Sequence, residues 1–410
     1  MHLLPALPAP VHFTFSAAIA HRTSAIRARG IRGLALFALI AGIPVAAAAA
    51  TAATVSSVAA GYYHTMYVKS DHTLWATGYN LYGQLGDTST VPTSRSKPLQ
   101  IATGVVSVSA GFGHSAFIKT DGTLWLLGLD NRGQLGNGAS TYDAQAAAVQ
   151  IASNVSSVVA GGYHTLFVKK DGTLWAVGSN NFGQLGDGTT TNRDTPVQIA
   201  TNVTAAAAGD HHSVFVKTDG TMWAMGLNAY GQLGDGAVLN RLTPVQVASG
   251  VSLVSAGHDH TVFVKTDGSL WAVGYNRYGQ LGNGSTDNTI TPVQVATSVA
   301  SATAGGYNTA FIKTDGTLWT TGWNNDGQLG NGTTDDRSTP VQISSGAKTV
   351  SAGYAHVAFV RTDGKLFING YDGFGQLGDA SSTDGTGVNT PPSTVTPPTN
   401  VVVTVTVAAL

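Results

Sequence analysis

Cysteine and glutamate are both absent from this chain of 410 residues. Without cysteine there is no disulfide, no thiolate metal site and no lipid attached to a cysteine. All 22 acidic residues are aspartate, a residue that favours turns, whereas glutamate favours helices. Charged residues make up only 10% of the chain and the formal net charge is −1, so no basic stripe is present to bind nucleic acid. These absences favour a turn-rich protein with little surface helix.

Glycine is plentiful instead, with 51 residues, and it recurs within a unit that is repeated seven times. An Asp-Gly type of turn marks every copy at intervals of 48 to 50 residues. A period of this length is typical of a solenoid or a propeller, in which one unit cannot bury its hydrophobic face alone. One repeat domain is therefore predicted over residues 54–379. The seven turn aspartates are Asp71, Asp121, Asp171, Asp219, Asp267, Asp315 and Asp363.

Every unit has the pattern of four short strands. In the third copy these are Val155–Ala160, His164–Lys169, 173–178 and 196–199, and the turn Asp171-Gly172 joins the middle pair. The proline of the last strand suits an outer edge, where a missing N–H matters little. Four strands in seven copies predict an all-β fold, a seven-bladed β-propeller of four-stranded antiparallel blades. A solenoid is less favoured because its terminal copies would need polar caps.

Ring closure poses a counting problem, because the fourth strand is clear in only six copies. The seventh must come from the C-terminal tail, either from 390–395 or from 401–407, which follows a linker rich in Ser, Thr, Pro and Gly at 380–400. We favour the later segment, so that 401–410 contains the closing strand. The alternative is that this segment begins another domain. The six clear fourth strands begin at Pro98, Ala148, Pro196, Pro244, Pro292 and Pro340.

The first fifty residues differ from the repeats. They contain no acidic residue and four closely spaced arginines, Arg22, Arg27, Arg29 and Arg32, which precede an uncharged, alanine-rich run at 33–53. A basic region, an apolar region and small residues at the end are typical of a secretory signal. The run is also just long enough to span a membrane, so an uncleaved anchor within 1–53 is the alternative. We expect a secreted, periplasmic or cell-envelope protein, with membrane contact only if the segment is uncleaved.

Three elements of the unit have a specific signature. These are Gly-x-x-His-Thr, Asp-Gly-x-Leu-Trp-x-x-Gly-x-Asn, and the Gly-Gln-Leu-Gly segments, of which the first begins at Gly83 and the last at Gly375. The unit resembles the regulator of chromosome condensation repeat over about 55–378, and with the export signal it is similar to the secreted bacterial type of that family. The resemblance implies a seven-bladed propeller with no fixed function. Members include a nuclear nucleotide-exchange factor that binds chromatin, an ultraviolet receptor of plants that uses clustered tryptophans, and a secreted bacterial inhibitor of β-lactamases that binds through aromatic residues on one face.

Positions that hardly change between copies are interpreted as scaffold. The tryptophans are expected to pack blade against blade, the histidines to bind loop backbone, and the lysines two residues before each turn to face the turn aspartates. One histidine per blade is too widely spaced for a shared metal, so no metal or cofactor is expected. One copy has Asn308 in the histidine position. The tryptophans are Trp75, Trp125, Trp175, Trp223, Trp271 and Trp319, with Phe367 in the last copy, and the histidines are His64, His114, His164, His212, His260 and His356.

The two residues between glycine and histidine vary from copy to copy. They occupy the same loop in every blade and so share one propeller face, where exposed aromatics on a rigid scaffold are typical interface anchors. We predict that they bind a partner; the alternative is drift at solvent positions. The predicted residues are Tyr62, Tyr63, Phe112, Tyr163, Asp210, His211, His258, Asp259, Tyr307 and Tyr354.

A second variable set follows the third strand and ranks lower, because some of its members must pack loops. The set comprises Tyr79, Asp130, Arg132, Phe182, Tyr230, Tyr275, Arg277, Tyr278, Trp323, Asp326, Tyr371 and Phe374. No catalytic triad or phosphate loop is apparent in the sequence. One group of acid and base residues on neighbouring blades is a candidate for chemistry: Asp210, His211, His258 and Asp259.

The leading hypothesis is an exported, monomeric, non-enzymatic module that binds an unknown protein or glycan, and no nucleic acid, on the aromatic face. An exported inhibitor of an enzyme is the first alternative, and an enzyme centred on the cluster of Asp210, His211, His258 and Asp259 is the second. A regulator like the nucleotide-exchange factor is the third. It is the least favoured, because no wedge-like insertion interrupts the repeats and export would separate the protein from a nuclear GTPase.

Overall fold

The computed structural model describes residues 53–88, 94–379 and 393–394. Over these residues the chain forms seven four-stranded sheets, and each sheet takes its strands in sequence order. All pairings within the sheets are antiparallel, which confirms the predicted all-β propeller of seven blades. The described part of the chain has no helix with the length and hydropathy needed to span a membrane. The segment interpreted as a signal or anchor lies almost wholly outside the described residues.

The strands are numbered β1 to β28 in chain order, four to a blade. Blades 1 and 2 contain Val55–Ala60, His64–Lys69, Leu74–Gly78, Arg95–Ala102, Val105–Ala110, His114–Lys119, Leu124–Asp130 and Thr141–Ala152. Blades 3 and 4 contain Val155–Ala160, His164–Lys169, Leu174–Gly178, Arg193–Ala200, Val203–Ala208, His212–Lys217, Met222–Gly226 and Arg241–Ala248. Blades 5 and 6 contain Val251–Ala256, His260–Lys265, Leu270–Gly274, Thr289–Ala296, Val299–Ala304, Asn308–Lys313, Leu318–Gly322 and Arg337–Ser344. Blade 7 contains Ala347–Ala352, His356–Arg361, Leu366–Gly370 and Ser393–Thr394.

The turn between the second and third strands is built by its aspartate. In blade 3, Asp171 Oδ1 accepts hydrogen bonds from the Thr173 N–H at 3.0 Å and the Thr173 hydroxyl at 2.7 Å. Gly172 has a φ of 79°, a left-handed conformation that favours glycine. The same Thr173 hydroxyl accepts the indole N–H of Trp175 at 2.9 Å. The turn therefore also orients the tryptophan that follows it.

The hydrophobic core lies between neighbouring blades. The cluster between blades 3 and 4 joins Leu166 and Leu174 of one blade to Phe215 and Met225 of the next, with Trp223 packed at its edge. This confirms the expected role of the tryptophans, and it explains strands that are apolar on both faces. The lysines lie over these rings, with Nζ 4.1 to 4.6 Å from the ring centroids in six blades, a cation–π contact that the sequence analysis did not predict.

The repeated histidines tie one blade to the next. His64 Nε2 lies 2.9 Å from Ser115 Oγ of blade 2, and that hydroxyl donates to the Gln84 carbonyl at 2.8 Å. Since the hydroxyl already donates, the imidazole must donate from Nε2. Burial lowers the pKa of His64 to about 3, so the ring is neutral. We expected these histidines to bind loop backbone. The prediction was wrong, because the partner of His64 is the Ser115 side chain of the neighbouring blade.

Blade 7 packs against blade 1 and completes the ring. The Val55 N–H donates to the Gly364 carbonyl at 3.1 Å, and His356 Nε2 lies 2.9 Å from Thr65 Oγ1. The outer strand of blade 7 is β28, Ser393–Thr394, which pairs with β27. It lies inside 390–395, one of the two tail segments considered. The favoured segment, 401–410, lies outside the described residues.

Candidate functional site

A ring of glycines brings the six Gly-x-x-His loops, and the equivalent loop that ends at Asn308, to one end of the propeller. The N–H of Tyr62, which follows Gly61, donates to the Gly111 carbonyl of blade 2 at 3.1 Å, and Phe112 N–H bonds Gly161 of blade 3 at 3.3 Å. A Cβ on Gly61 would lie 2.7 Å from the Gly111 carbonyl oxygen. Only glycine allows the loops of neighbouring blades to approach this closely. The two residues after each glycine therefore lie at the mouth of the central channel.

The predicted aromatics form one continuous cluster at that mouth. The rings of Tyr163 and Phe112 are 5.0 Å apart, those of Phe112 and Tyr62 are 4.8 Å apart, and Tyr62 stacks on Tyr354 at 4.6 Å. Tyr354 continues to Tyr307 at 5.6 Å. All five rings are half-buried. The loops of blades 6, 7, 1, 2 and 3 thus contribute to a single surface.

Part of the second variable set surrounds the first. Phe374 lies 5.3 Å from Tyr63 and 4.7 Å from Tyr79, while Trp323 lies 6.1 Å from Tyr354. We call the combined surface the aromatic face. Its members are Tyr62, Tyr63, Tyr79, Phe112, Tyr163, Phe182, Tyr278, Tyr307, Trp323, Tyr354, Tyr371 and Phe374.

His258 is held between two carboxylates at the centre of the face. Its Nε2 lies 3.0 Å from Asp210 Oδ2 and its Nδ1 lies 2.6 Å from Asp259 Oδ2. Burial opposes the charged imidazole, but hydrogen bonds to Asp210 and Asp259 outweigh it and raise the pKa of His258 to about 10. The pKa of Asp259 is lowered, because contact with His258 outweighs its burial. At neutral pH His258 is therefore an imidazolium, in contact with Asp210 and Asp259.

Tyr62 connects this cluster across the channel. Its hydroxyl donates to Asp210 Oδ2, so a residue of blade 1 reaches a residue of blade 4. Burial and the nearby Asp210 raise the pKa of Tyr62 well above its ordinary value. Behind this bond the channel has a volume of about 150 Å³ and is lined mainly by glycine and alanine, with Tyr62, Asp210, His258 and Tyr354 at its mouth.

The proposed chemical cluster is only partly assembled. The structure joins Asp210, His258 and Asp259, whereas His211 packs against Phe182 at 5.0 Å and Tyr163 at 6.2 Å. Burial lowers the pKa of His211. The hydrogen bonds of the three joined residues go to one another, to Tyr62 and to Gln232 Nε2, which is 3.2 Å from Asp259. These contacts join blades 1, 4 and 5, and we call Asp210, His258 and Asp259 the clamp.

The remaining residues of the second set have other positions. Asp130 is buried, and its Oδ1 accepts the Leu135 N–H at 3.0 Å, which fixes a loop. Arg132 and Arg277 are exposed. Tyr230 and Tyr275 pack together at 4.9 Å.

One aromatic at the site was missed. Tyr82 lies 6.0 Å from Tyr79 and 6.5 Å from Phe112. It immediately precedes a Gly-Gln-Leu-Gly segment, as Phe182, Tyr278 and Phe374 do, so its position in the repeat was a signal that could have found it. Within the described ranges, no group of three or more His, Asp, Glu or Cys residues could hold a metal ion.

Comparison with solved structures shows the same architecture. Human WBSCR16 has a TM-score of 0.70 and 22% identity, over 76% of this chain and 88% of that chain. Prp20p from Saccharomyces cerevisiae, whose binding to Gsp1p and histones has been characterised, has a TM-score of 0.64 and 21% identity, over 73% of this chain and 80% of that chain. At these identities the similarity shows the fold alone.

Comparison with protein families is more specific. No curated protein sequence matches the chain. Residues 41–303, more than half of the chain, match the RCC1-like domain, and residues 299–328 and 315–360 match the regulator of chromosome condensation (RCC1) repeat. Together with the seven blades, these matches show that the chain belongs to the RCC1-like domain family.

Proposed function

We propose that this protein is an exported, non-enzymatic module that binds a protein partner on its aromatic face. The observation that carries the proposal is the unbroken contact of half-buried rings from Tyr163 through Tyr62 to Tyr307. These rings occupy positions that differ between copies, while the scaffold histidines and tryptophans recur. A surface made of varied loops on a constant frame is suited to one asymmetric partner.

A protein is favoured over a small ligand because of the shape of the site. The channel behind Tyr62 has about 150 Å³, which is below the roughly 300 Å³ at which small-molecule pockets begin. The aromatic face spreads over loops of several blades instead. Tyrosine and tryptophan supply large contact areas and lose little conformational entropy on binding. The protein-binding activity of Prp20p is consistent with this choice.

A role without catalysis is supported by the state of the clamp. A general base must be unprotonated near the working pH, but His258 has its pKa raised to about 10 by the two carboxylates it contacts. Its two partners are engaged by His258, Tyr62 and Gln232. The cluster is therefore suited to holding blades 1, 4 and 5 in place.

Export rests on the N-terminal sequence. Four arginines precede an uncharged run at 33–53 that ends in alanines, the order of a secretory signal. Fractionation of cells that express the tagged full-length protein, with mass spectrometry of the N-terminus, tests this part. A chain cleaved near residue 50 and found outside the cytoplasm supports export. An intact N-terminus in the cytosol contradicts it.

Binding is tested by removing three rings at once. The variant Tyr63→Ala/Phe112→Ala/Tyr163→Ala deletes anchors from blades 1, 2 and 3, and we expect at least a tenfold loss of partner recovery, because anchor aromatics each contribute about 1–2 kcal/mol or more. The measurement is affinity capture from culture medium and envelope extract, quantified by mass spectrometry for wild type and variant.

The matched control is Tyr142→Ala. Tyr142 is 77% exposed and lies on the outer strand β8, so its removal deletes an aromatic away from the face. We expect it to capture the partner as the wild type does. Equal capture by the triple variant, with a folded circular-dichroism spectrum, contradicts the proposal. An inhibitor of a secreted enzyme is the special case in which the captured protein loses turnover when bound.

A further inference from the structure

Asp326 is the one carboxylate at a loop position that is aromatic in most blades. The residue before every Gly-Gln-Leu-Gly segment donates its backbone N–H to the Oε1 of that glutamine, and in blade 6 the distance from Asp326 N to Gln328 Oε1 is 3.0 Å. The loop backbone is therefore the same around the ring and only the side chain differs. The seven residues are Tyr82, Arg132, Phe182, Tyr230, Tyr278, Asp326 and Phe374.

Asp326 occupies in blade 6 the loop position from which Tyr278 of blade 5 and Phe374 of blade 7 contact other rings of the aromatic face. Trp323, in the same loop, is 6.1 Å from Tyr354, which is 5.9 Å from Tyr63, and Tyr63 is 5.9 Å from Tyr371. The negative charge of Asp326 contributes to the raised pKa of Tyr63, after burial and the neighbouring tyrosines Tyr354 and Tyr371. Asp326 is therefore close enough to Tyr63 of blade 1 to act on it electrostatically. It also lies three residues after Trp323 in the same loop of blade 6.

Asp326 has no counter-charge in the described part of the chain. No described residue forms a hydrogen bond or ion pair with its carboxylate, and burial raises its pKa. The central carboxylates differ, since Asp210 and Asp259 both contact His258. A half-buried carboxylate that lacks a partner destabilises the free protein, and a bound cation relieves this cost.

We propose that Asp326, Trp323, Tyr63 and Tyr371 form a subsite for an arginine side chain of the protein partner, an inference that rests on the proposed function. Ring faces attract cations through their quadrupole. A guanidinium also stacks on rings and forms two parallel hydrogen bonds with a carboxylate, which an ammonium does not. The partner is therefore a protein that presents an exposed arginine to blades 6, 7 and 1.

The test uses two small probes that differ in charge but hardly in shape, N-acetyl-arginine amide and N-acetyl-citrulline amide. Binding to the full-length protein is measured by saturation-transfer NMR. We expect the arginine probe to bind the wild type about tenfold more tightly than the citrulline probe, since a hydrogen-bonded ion pair is lost in the latter. Asp326→Asn should weaken arginine binding about tenfold and leave citrulline binding unchanged.

Two further variants test whether binding depends on the particular carboxylate of Asp326 and on the ring of Trp323, and whether the protein stays folded. Asp143→Asn removes an exposed carboxylate from β8 and should bind both probes as the wild type does. Trp323→Ala should weaken arginine binding while the protein stays folded by circular dichroism. Equal arginine binding by Asp326→Asn and wild type overturns the subsite, as does equal binding of the two probes.

Partner capture distinguishes failure of the subsite from failure of the proposed function. If the triple aromatic variant loses the partner but Asp326→Asn retains it fully, the face binds a partner and the subsite proposal is wrong. If the triple variant retains the partner, the proposed function is wrong, whatever the probes show. Loss of the partner in both variants supports the two proposals together.

Discussion

His258 is a single side chain on which the centre of the aromatic face depends. Its imidazolium pairs with carboxylates of blades 4 and 5, both of which are only 7% exposed. Removal of one partner from a buried ion pair destabilises strongly, because the remaining charges stay uncompensated. The charge of His258 therefore stabilises the mouth of the channel.

The pKa of His258 gives this stabilisation a defined pH dependence. The folded pKa of about 10 lies above the ordinary value of 6.5, so the contribution is complete below pH 6.5 and is lost as the pH rises towards 10. We expect the free energy of unfolding of the wild type to fall by about 3–4 kcal/mol between pH 7 and pH 10, because the unfolded imidazole is deprotonated there while the folded one keeps its proton. Urea denaturation at a series of pH values measures it.

His258→Gln should be less stable at pH 7 and lack most of that alkaline decrease. His211→Gln is the matched control, because His211 lies on the same face but outside the hydrogen-bonded cluster, and its alkaline decrease should equal that of the wild type. A decrease of equal size in wild type and His258→Gln would contradict the clamp.

Between blades 6 and 7 the histidine–hydroxyl tie is missing. The histidine position holds Asn308 and the hydroxyl position of blade 7 holds Val357. Both amide atoms of Asn308 are buried without a hydrogen-bond partner among the described residues. The two departures belong together, because a histidine there would find no hydroxyl to accept its N–H. This interface therefore lacks a bond that the other six have.

Restoring both residues should restore the tie. The double variant Asn308→His/Val357→Thr should be about 1 kcal/mol more stable than the wild type. Asn308→His alone should be neutral or destabilising by about 1–2 kcal/mol, since it buries an N–H without an acceptor, and Val357→Thr alone should gain less than the double variant, since its hydroxyl receives no imidazole N–H. A double-mutant cycle from guanidinium denaturation gives the coupling energy. Additive effects of the two changes would contradict the assigned partnership.

Around the whole ring, the six buried histidines make the propeller sensitive to acid. Burial lowers the pKa values to about 3 for His64, His164 and His260 and to about 4 for His114, His212 and His356. The unfolded chain takes up these protons near pH 6.5, whereas the folded chain does not. Stability is therefore complete above pH 6.5 and is lost as the pH falls towards 4.

The loss is about 1.4 kcal/mol per pH unit for one histidine, and six interfaces of a closed ring act together. We expect one steep, cooperative unfolding transition between pH 6 and pH 4, observed by tryptophan fluorescence and far-ultraviolet circular dichroism at the same midpoint. His164→Gln should shift the midpoint to lower pH. A midpoint unchanged by this substitution, or separate transitions for different probes, would contradict the account.

The repeat pattern was sufficient to predict the fold. A period of 48 to 50 residues, strands bounded by Asp-Gly turns and apolar strands between tryptophans are local features that recur along the chain. They specify the four-stranded structure of each blade and the number of blades, because every unit must bury both its faces against copies of itself. The pairs between glycine and histidine were likewise placed together from sequence, since equivalent loops lie on one face; whether they bind a partner stays a prediction.

Contacts between different copies depended on the closed ring. Tyr62 and Asp210 are 148 positions apart in the chain, and neither the repeat nor its period indicates that they meet across the channel. The same holds for the contact of His258 with Asp210 and for the carboxylate of Asp326, which has no ion-pair partner among the described residues. Such contacts arise because seven loops converge on one axis. Which side chains meet there depends on distances and directions across the ring, and a periodic sequence pattern does not contain these.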